Sequence, residues 1–289
     1  MLYLVLAVLT STSLLVIFKI FDSYKINTFQ AIVVNYWVCA LTGFLLLPDA
    51  SILKNFWSQD WFPFALLLST MFISGFWVIG MTTQKIGLTV SSIAGKTSMV
   101  LPVVAAFFLY GDTVSVTKIL GVFLAILAVF LTSVRDKEQI RDDLNKIYLF
   151  FPLILFIMSG SIEIILNYAQ VVYLSDALYV PFLILLFGLA GVWGLIILLF
   201  QLATKQTKIE TKNIIAGIAL GVPNYFSLHY ILLALGKSGL ESSVFFPICN
   251  ISIVSLSAIS AFIFFREKLS RINLAGLAAA IGAITLIMI

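Results

Sequence analysis

Charge is what this 289-residue chain has least of: Asp, Glu, Lys and Arg make up 10% of it, where soluble domains carry about 25%. That shortage excludes a soluble globular protein, which needs polar side chains to cover its surface. Histidine occurs once, at His229, and cysteine twice, at Cys39 and Cys249. No metal-ligand spacing or disulfide framework follows from so few, so no metal centre is expected and the cysteines read as small packed hydrophobes. The absence of a Gly-x-x-x-x-Gly-Lys run removes nucleotide-driven pumping, and no cofactor is expected. Basic residues outnumber acidic ones by 17 to 13, yet they flank apolar stretches and form no stripe, so nucleic acid is not an expected partner.

What is present is apolar: hydrophobic residues are 62% of the chain and the mean hydropathy is +1.13. A helix needs about 20 such residues to cross a bilayer core. Ten stretches qualify, at residues 2–21, 28–47, 61–83, 88–110, 115–134, 148–170, 176–202, 213–235, 241–265 and 270–289. Their length, without alternation of polarity, predicts helices rather than β-strands. The first lacks a basic leading region and a small-residue cleavage site, so it is read as a mature span rather than a signal peptide.

The loops predict which way the spans run. Of the 17 Lys and Arg residues, 13 border odd-to-even connections, three (Lys54, Lys118 and Lys237) lie on the other side, and Lys96 is inside the fourth span. By the positive-inside rule the odd-to-even loops are cytoplasmic and both termini face outward, in a multi-pass protein of the plasma (inner) membrane.

A charged segment, Arg135 to Lys146, divides the chain into halves that read alike. Ser11-Thr12-Ser13 aligns with Ser159-Gly160-Ser161, and Gly43 with Gly191, at an offset of 148; Lys85-Ile86-Gly87-Leu88 meets Lys237-Ser238-Gly239-Leu240 at 152; Gly111 to Ser115 meets Arg266 to Ser270 at 155. The order of these matches predicts a duplication, with residues 1–134 as the first repeat, 135–147 as a cytoplasmic linker and 148–289 as the second repeat. Five spans per half is an odd number, so the repeats enter the membrane with opposite polarity. The expected fold is all-α: an integral membrane protein of ten transmembrane helices in two inverted five-helix repeats, the plan of many secondary transporters.

Each half ends in an apolar helix, a short polar turn and a final Gly-containing helix: Leu109-Tyr110-Gly111-Asp112-Thr113-Val114-Ser115 before Leu120-Gly121, and Phe264-Phe265-Arg266-Glu267-Lys268-Leu269-Ser270 before Ala275-Gly276. In this the whole chain resembles the drug/metabolite transporter superfamily, in particular its ten-helix EamA-like members, whose turn is similar to Gly-Glu-Arg-Leu-Ser. The resemblance implies a transporter whose fourth, sixth and eighth helices line a central cavity, with the fifth and tenth peripheral. Many members carry basic, cytoplasmic termini, whereas here the basic residues occupy the opposite set of loops.

Ionisable groups inside a bilayer helix are costly and need a reason. Lys96, Glu163 and His229 qualify, in the fourth, sixth and eighth spans. Ser159, Glu163, Asn167 and Gln170 form one polar stripe at helical spacing. Around His229 lie Asn224 and Tyr225, with Pro223 freeing a carbonyl one turn earlier, as in the interrupted helices of transporters. Asn250 shares a face with Ser243 and Pro247, and Ser92 shares one with Lys96. From about 1.5 Å of rise per residue, Glu163 and His229 fall roughly 6 Å to the outer side of their span centres and Lys96 about 4 to 5 Å to the inner side of its own. Glu163 and His229 could therefore meet directly.

The substrate-binding candidates are thus Lys96, Glu163, Asn167, Trp77, Asn224, Tyr225, His229 and Asn250, with no catalytic residue. Blander readings stand beside them. Lys96 could snorkel to the interface, Glu163 could pair only for packing, His229 could be a satisfied interior histidine, and Trp77, its repeat partner, a core or interface aromatic. Trp57 and Trp61 read as interface-belt residues. The Ala275, Ala279 and Ala283 ladder, beside Gly276 and Ala280, reads as a packing seam within one chain or across a homodimer.

The expected function is secondary active transport, as exporter or exchanger, of a small polar metabolite, amino acid or organic anion, with the bilayer as partner and a proton or other ion as coupling species. A flippase of lipids, lipid-linked sugars or drugs differs only in cargo. A membrane-embedded enzyme using Ser161 and His229 lacks a third orienting group.

Overall fold

The computed structural model describes residues 2–47, 54–109, 115–133, 146–174, 176–237, 242–267 and 270–288. Among them are eleven α-helices and no strand: α1 (Leu2–Ser23), α2 (Thr28–Leu45), α3 (Phe62–Lys85), α4 (Leu88–Thr97), α5 (Val100–Leu109), α6 (Val116–Ser133), α7 (Phe151–Tyr173), α8 (Asp176–Ala203), α9 (Thr211–Lys237), α10 (Ser242–Phe265) and α11 (Arg271–Met288). Seven of these, α1, α2, α3, α7, α8, α9 and α10, contain stretches long and apolar enough to cross a membrane. The architecture fits a multi-pass membrane protein, where helices satisfy their own backbone groups.

One predicted span is two helices. The stretch expected to run unbroken over residues 88–110 stops at Thr97 and restarts at Val100. Pro102 supplies the reason: it has no N–H to donate to the carbonyl of Ser98, and its ring clashes there. Leu101 N–H closes a tighter turn onto that carbonyl at 2.9 Å, and Pro102 falls in the first turn of α5, where proline is tolerated. Two hydroxyls turn back onto the end of α4, Thr97 Oγ1 to Ile93 O at 2.6 Å and Ser98 Oγ to Gly95 O at 2.7 Å. Pro223, by contrast, lies inside α9, which runs through it as one helix.

The chain forms two compact units. The second unit comprises residues 21–77 and 162–226. Its α2 is gripped by α8 and α9 through glycines. A Cβ at Gly217 would lie 2.5 Å from that of Val34 and 2.6 Å from the carbonyl of Ala31, and one at Gly221 would lie 2.6 Å from Val38 Cβ and 2.9 Å from Asn35 O. This Gly-x-x-x-Gly pair lets two backbones approach closely, which is how helices pack where burial from lipid gives little driving force. Gly194 of α8 meets Val33 and Ile73 in the same way. Tyr36, fully buried, donates to Phe72 O at 2.7 Å and packs its ring against Phe76 and Phe187. Trp61 is not a belt residue, being 2% exposed with its ring edge-on to Phe182; Trp57 is exposed.

The first unit comprises residues 1–20, 78–161 and 227–289. Here α6 packs along α11, α4 along α6 and α10, and α10 on α11. The alanine ladder is part of a seam within the chain: Ala283 belongs to one core cluster with Ala125 and Val129, and Ala280 to another with Ala128, Ile93 and Val254. Ser270 caps α11, its Oγ accepting from Asn273 N at 3.2 Å, while Asn273 Nδ2 donates to Leu131 O at 3.3 Å and ties that end to α6. The predicted linker, apart from residues 146 and 147, and the first polar turn, Gly111 to Val114, lie outside the described residues.

Steric room should decide the response to glycine replacement. Gly217→Ala should destabilise the protein by about 1–3 kcal/mol, the usual range for overpacking. Gly95→Ala, whose new Cβ would meet only Ser159 Oγ at 3.9 Å, should melt at or slightly above the wild-type temperature. Thermal unfolding of the two variants in detergent checks this; equal losses would contradict it.

Candidate functional site

In the first unit the α4–α5 break gathers polar groups. Lys96 occupies the last turn of α4, half-buried, where the negative end of the helix dipole favours a cation. From α10, Asn250 donates from Nδ2 to Met99 Sδ, within the break, at 3.3 Å. Two sequence candidates thus lie at the break, Lys96 in the last turn of α4 and Asn250 against Met99. Along α4, Thr89, Ser92 and Lys96 recur at helical spacing. Ser257 of α10 donates to Ser92 Oγ by a short hydrogen bond, and Ser92 Oγ donates in turn to Thr89 O at 2.9 Å. Thr89 Oγ1 and, on α1, Thr12 Oγ1 are buried without a hydrogen-bond partner among the described residues. His229, also in this unit, is half-buried and meets Tyr230 edge-on at 5.8 Å between ring centres; Tyr230 stacks on Tyr3.

The second unit holds a separate buried polar group. Asn224 Nδ2 donates to Asn35 Oδ1 at 3.1 Å, and Cys39 Sγ donates to Gly221 O at 3.3 Å. Asn35 Nδ2, fully buried, has no partner among the described residues. Tyr225 is 2% exposed and covers Gly43, where an added Cβ would lie 3.0 Å from its ring. Glu163 is half-buried and has an interaction partner, and Trp77 is 36% exposed. The side chains of Asn167 and Gln170 lie outside the described residues.

Sequence reading passed over three of these features. Asn35 is an amide in the middle of an apolar span, a signal that was available. Ser257 carries no signal until α4 lies beside it. The amide cluster fixing the start of α2 is the third: Asn213 Nδ2 donates to Gln30 Oε1 at 2.7 Å, Asn27 N donates to Asn213 Oδ1 at 2.9 Å, and Gln30 Nε2 donates to Thr207 Oγ1 at 2.7 Å. This satisfied network fixes the frame around the Asn35–Asn224 pair. Both cysteines are free; Cys249 packs among Leu4, Val8, Ala234 and Ile253, whereas Cys39 is a hydrogen-bond donor as well as a packed side chain. No group of three or more His, Cys, Asp or Glu that could hold a metal occurs among the described residues.

No family model matches the chain. An uncharacterized protein of Haemophilus influenzae (strain ATCC 51907 / DSM 11121 / KW20 / Rd) is 28% identical to it over 294 residues, covering 97% of this chain and 95% of the relative. The similarity runs nearly end to end.

The Ser257–Ser92–Thr89 relay should behave as one element. Ser92→Ala and Ser257→Ala should each cost about 1 kcal/mol, and the double variant clearly less than the sum, since either change breaks the same bond. A double-mutant cycle on unfolding in detergent measures this; simple additivity would mean the two hydroxyls act independently.

Proposed function

We propose that this protein is a secondary active transporter, an exporter or exchanger of a small polar metabolite, amino acid or organic anion, working by alternating access. The observation that carries the reading is the interrupted fourth span with Lys96 at its break. Non-helical backbone at membrane depth is tolerated only where protein buries it or it lines a water-filled cavity, and transporters use such breaks as binding points. A cation beside the break, with Asn250 facing it, suits a carboxylate or phosphate. The duplicated sequence and the resemblance to EamA-like members of the drug/metabolite transporter superfamily support the same plan, in which ten helices form inverted repeats.

Further support comes from polar groups with unmet bonding. A buried donor without an acceptor costs about 1–3 kcal/mol, and a solute oxygen would satisfy Asn35 Nδ2 beside Asn224. Glu163 and His229 are each proposed to respond to protonation. The chain acts on no covalent bond in this reading, and its setting is a cell membrane with the odd-to-even loops inside.

Thermal stabilisation of the detergent-purified protein tests this against amino acids, organic acids, phosphorylated acids and lipophilic cations, with Lys96→Ala in parallel. Stabilisation by an anionic or zwitterionic compound, lost in Lys96→Ala, is the expected result. Shifts confined to lipophilic cations and indifferent to Lys96 would overturn the assignment and favour drug or lipid export.

A further inference from the structure

At one end of the first unit a single carboxylate holds three helices. Glu267 Oε1 is 2.7 Å from Lys19 Nζ, near the end of α1, and accepts the N–H of Leu88, the first residue of α4, at 3.1 Å. Glu267 itself follows α10. There Arg266 adopts a left-handed φ of 51°, and Glu267 N–H donates back to Ala261 O at 3.0 Å. That return bond is a helix-terminating motif that fixes where the carboxylate points. It points at the start of α4, whose dipole favours an anion.

Gly87 completes the fit. Its φ of 144° is one that side-chain-bearing residues rarely adopt, and a Cβ there would lie 3.2 Å and 3.4 Å from the two carboxylate oxygens. The Lys19 and Glu267 side chains are 21% and 15% exposed, so the pair is less screened than a surface ion pair. Leu15, Leu88 and Ala261, on the same three helices, belong to one buried apolar cluster.

We infer that the Lys19–Glu267–Leu88 contact is a latch, which holds the ends of α1, α4 and α10 together in this conformation and opens when that end of the unit separates. The inference rests on the transport reading for its role: α4 carries Lys96, so releasing the start of α4 would expose the binding helix from this end. A plain helix cap would need only the carboxylate and the α4 amides. Lys19 recruits a further helix to the same oxygen, and the shape of Gly87 is what permits the approach.

The test places a cysteine beneath the latch. Ser91, 2% exposed and one turn along α4, is changed to Cys in a chain with Cys39→Ala and Cys249→Ala, reconstituted in nanodiscs, and its reaction with a charged maleimide is timed. Lys19→Gln and Glu267→Gln should each raise the labelling rate about fivefold, and the double variant no further, because both release one contact of roughly 1 kcal/mol. Lys19→Gln keeps the bond from Leu88 to Glu267, so it carries the test if Glu267→Gln does not fold. Unchanged rates in the single variants, or a double-variant rate equal to the product of the two increases, would overturn the latch. Labelling responds to the latch even if the chain moves no solute, and unchanged labelling in variants still stabilised by a solute would leave the transport reading standing.

Discussion

Backbone hydrogen bonding without water is the constraint on which the rest depends. A chain with so few polar side chains cannot leave peptide groups unpaired in an apolar setting, so it folds into helices wherever it can. Among the described residues, two departures from a helix are compensated in this way. At the α4–α5 junction Pro102 removes a donor, Leu101 closes a 2.9 Å turn onto Ser98 O, and the Thr97 and Ser98 hydroxyls turn back onto α4. After α10, Glu267 N–H returns to Ala261 O and its carboxylate takes the Leu88 N–H. Each of these two breaks carries an ionisable side chain, Lys96 at the first and Glu267 at the second.

Packing follows from the same setting. With little to gain by moving an apolar side chain from lipid into protein, helices adhere through close backbone approach and polar bonds. In the second unit this is the Gly217 and Gly221 face against α2, reinforced by the Asn224–Asn35 bond. In the first unit it is the Ala125 and Ala128 face against Ala280 and Ala283, and the Ser257–Ser92 bond. The aromatic side chains fill what remains, as Tyr36 does between Phe76 and Phe187.

Much of the helical order was legible because polar residues punctuate the apolar runs. The ends of α1, α3 and α10 fall within a few residues of their predicted bounds, each beside a lysine, serine or arginine. The break in the fourth span was not legible from hydropathy, because Val100 to Leu109 is as apolar as any helix here; it depends on one proline acting four residues back. Pro223 shows the converse, since α9 absorbs a similar loss and continues. Lys96 was legible as a misplaced charge, but the bond from Asn250 to Met99 at the same break depends on how α10 lies against α4. Glu267 was visible as part of a turn motif, while its hold on Lys19 and Leu88 joins residues far apart in the chain.

Solute movement itself is the most direct measurement of the central claim. Purified protein reconstituted in liposomes would be tested for exchange of radiolabelled amino acids and organic acids against the same unlabelled compound inside. The expected result is saturable uptake of at least one anionic or zwitterionic solute, driven by internal counter-solute without nucleotide, and its loss in Lys96→Ala liposomes of equal protein content. Absence of saturable exchange across the set, or exchange that is indifferent to Lys96, would contradict it.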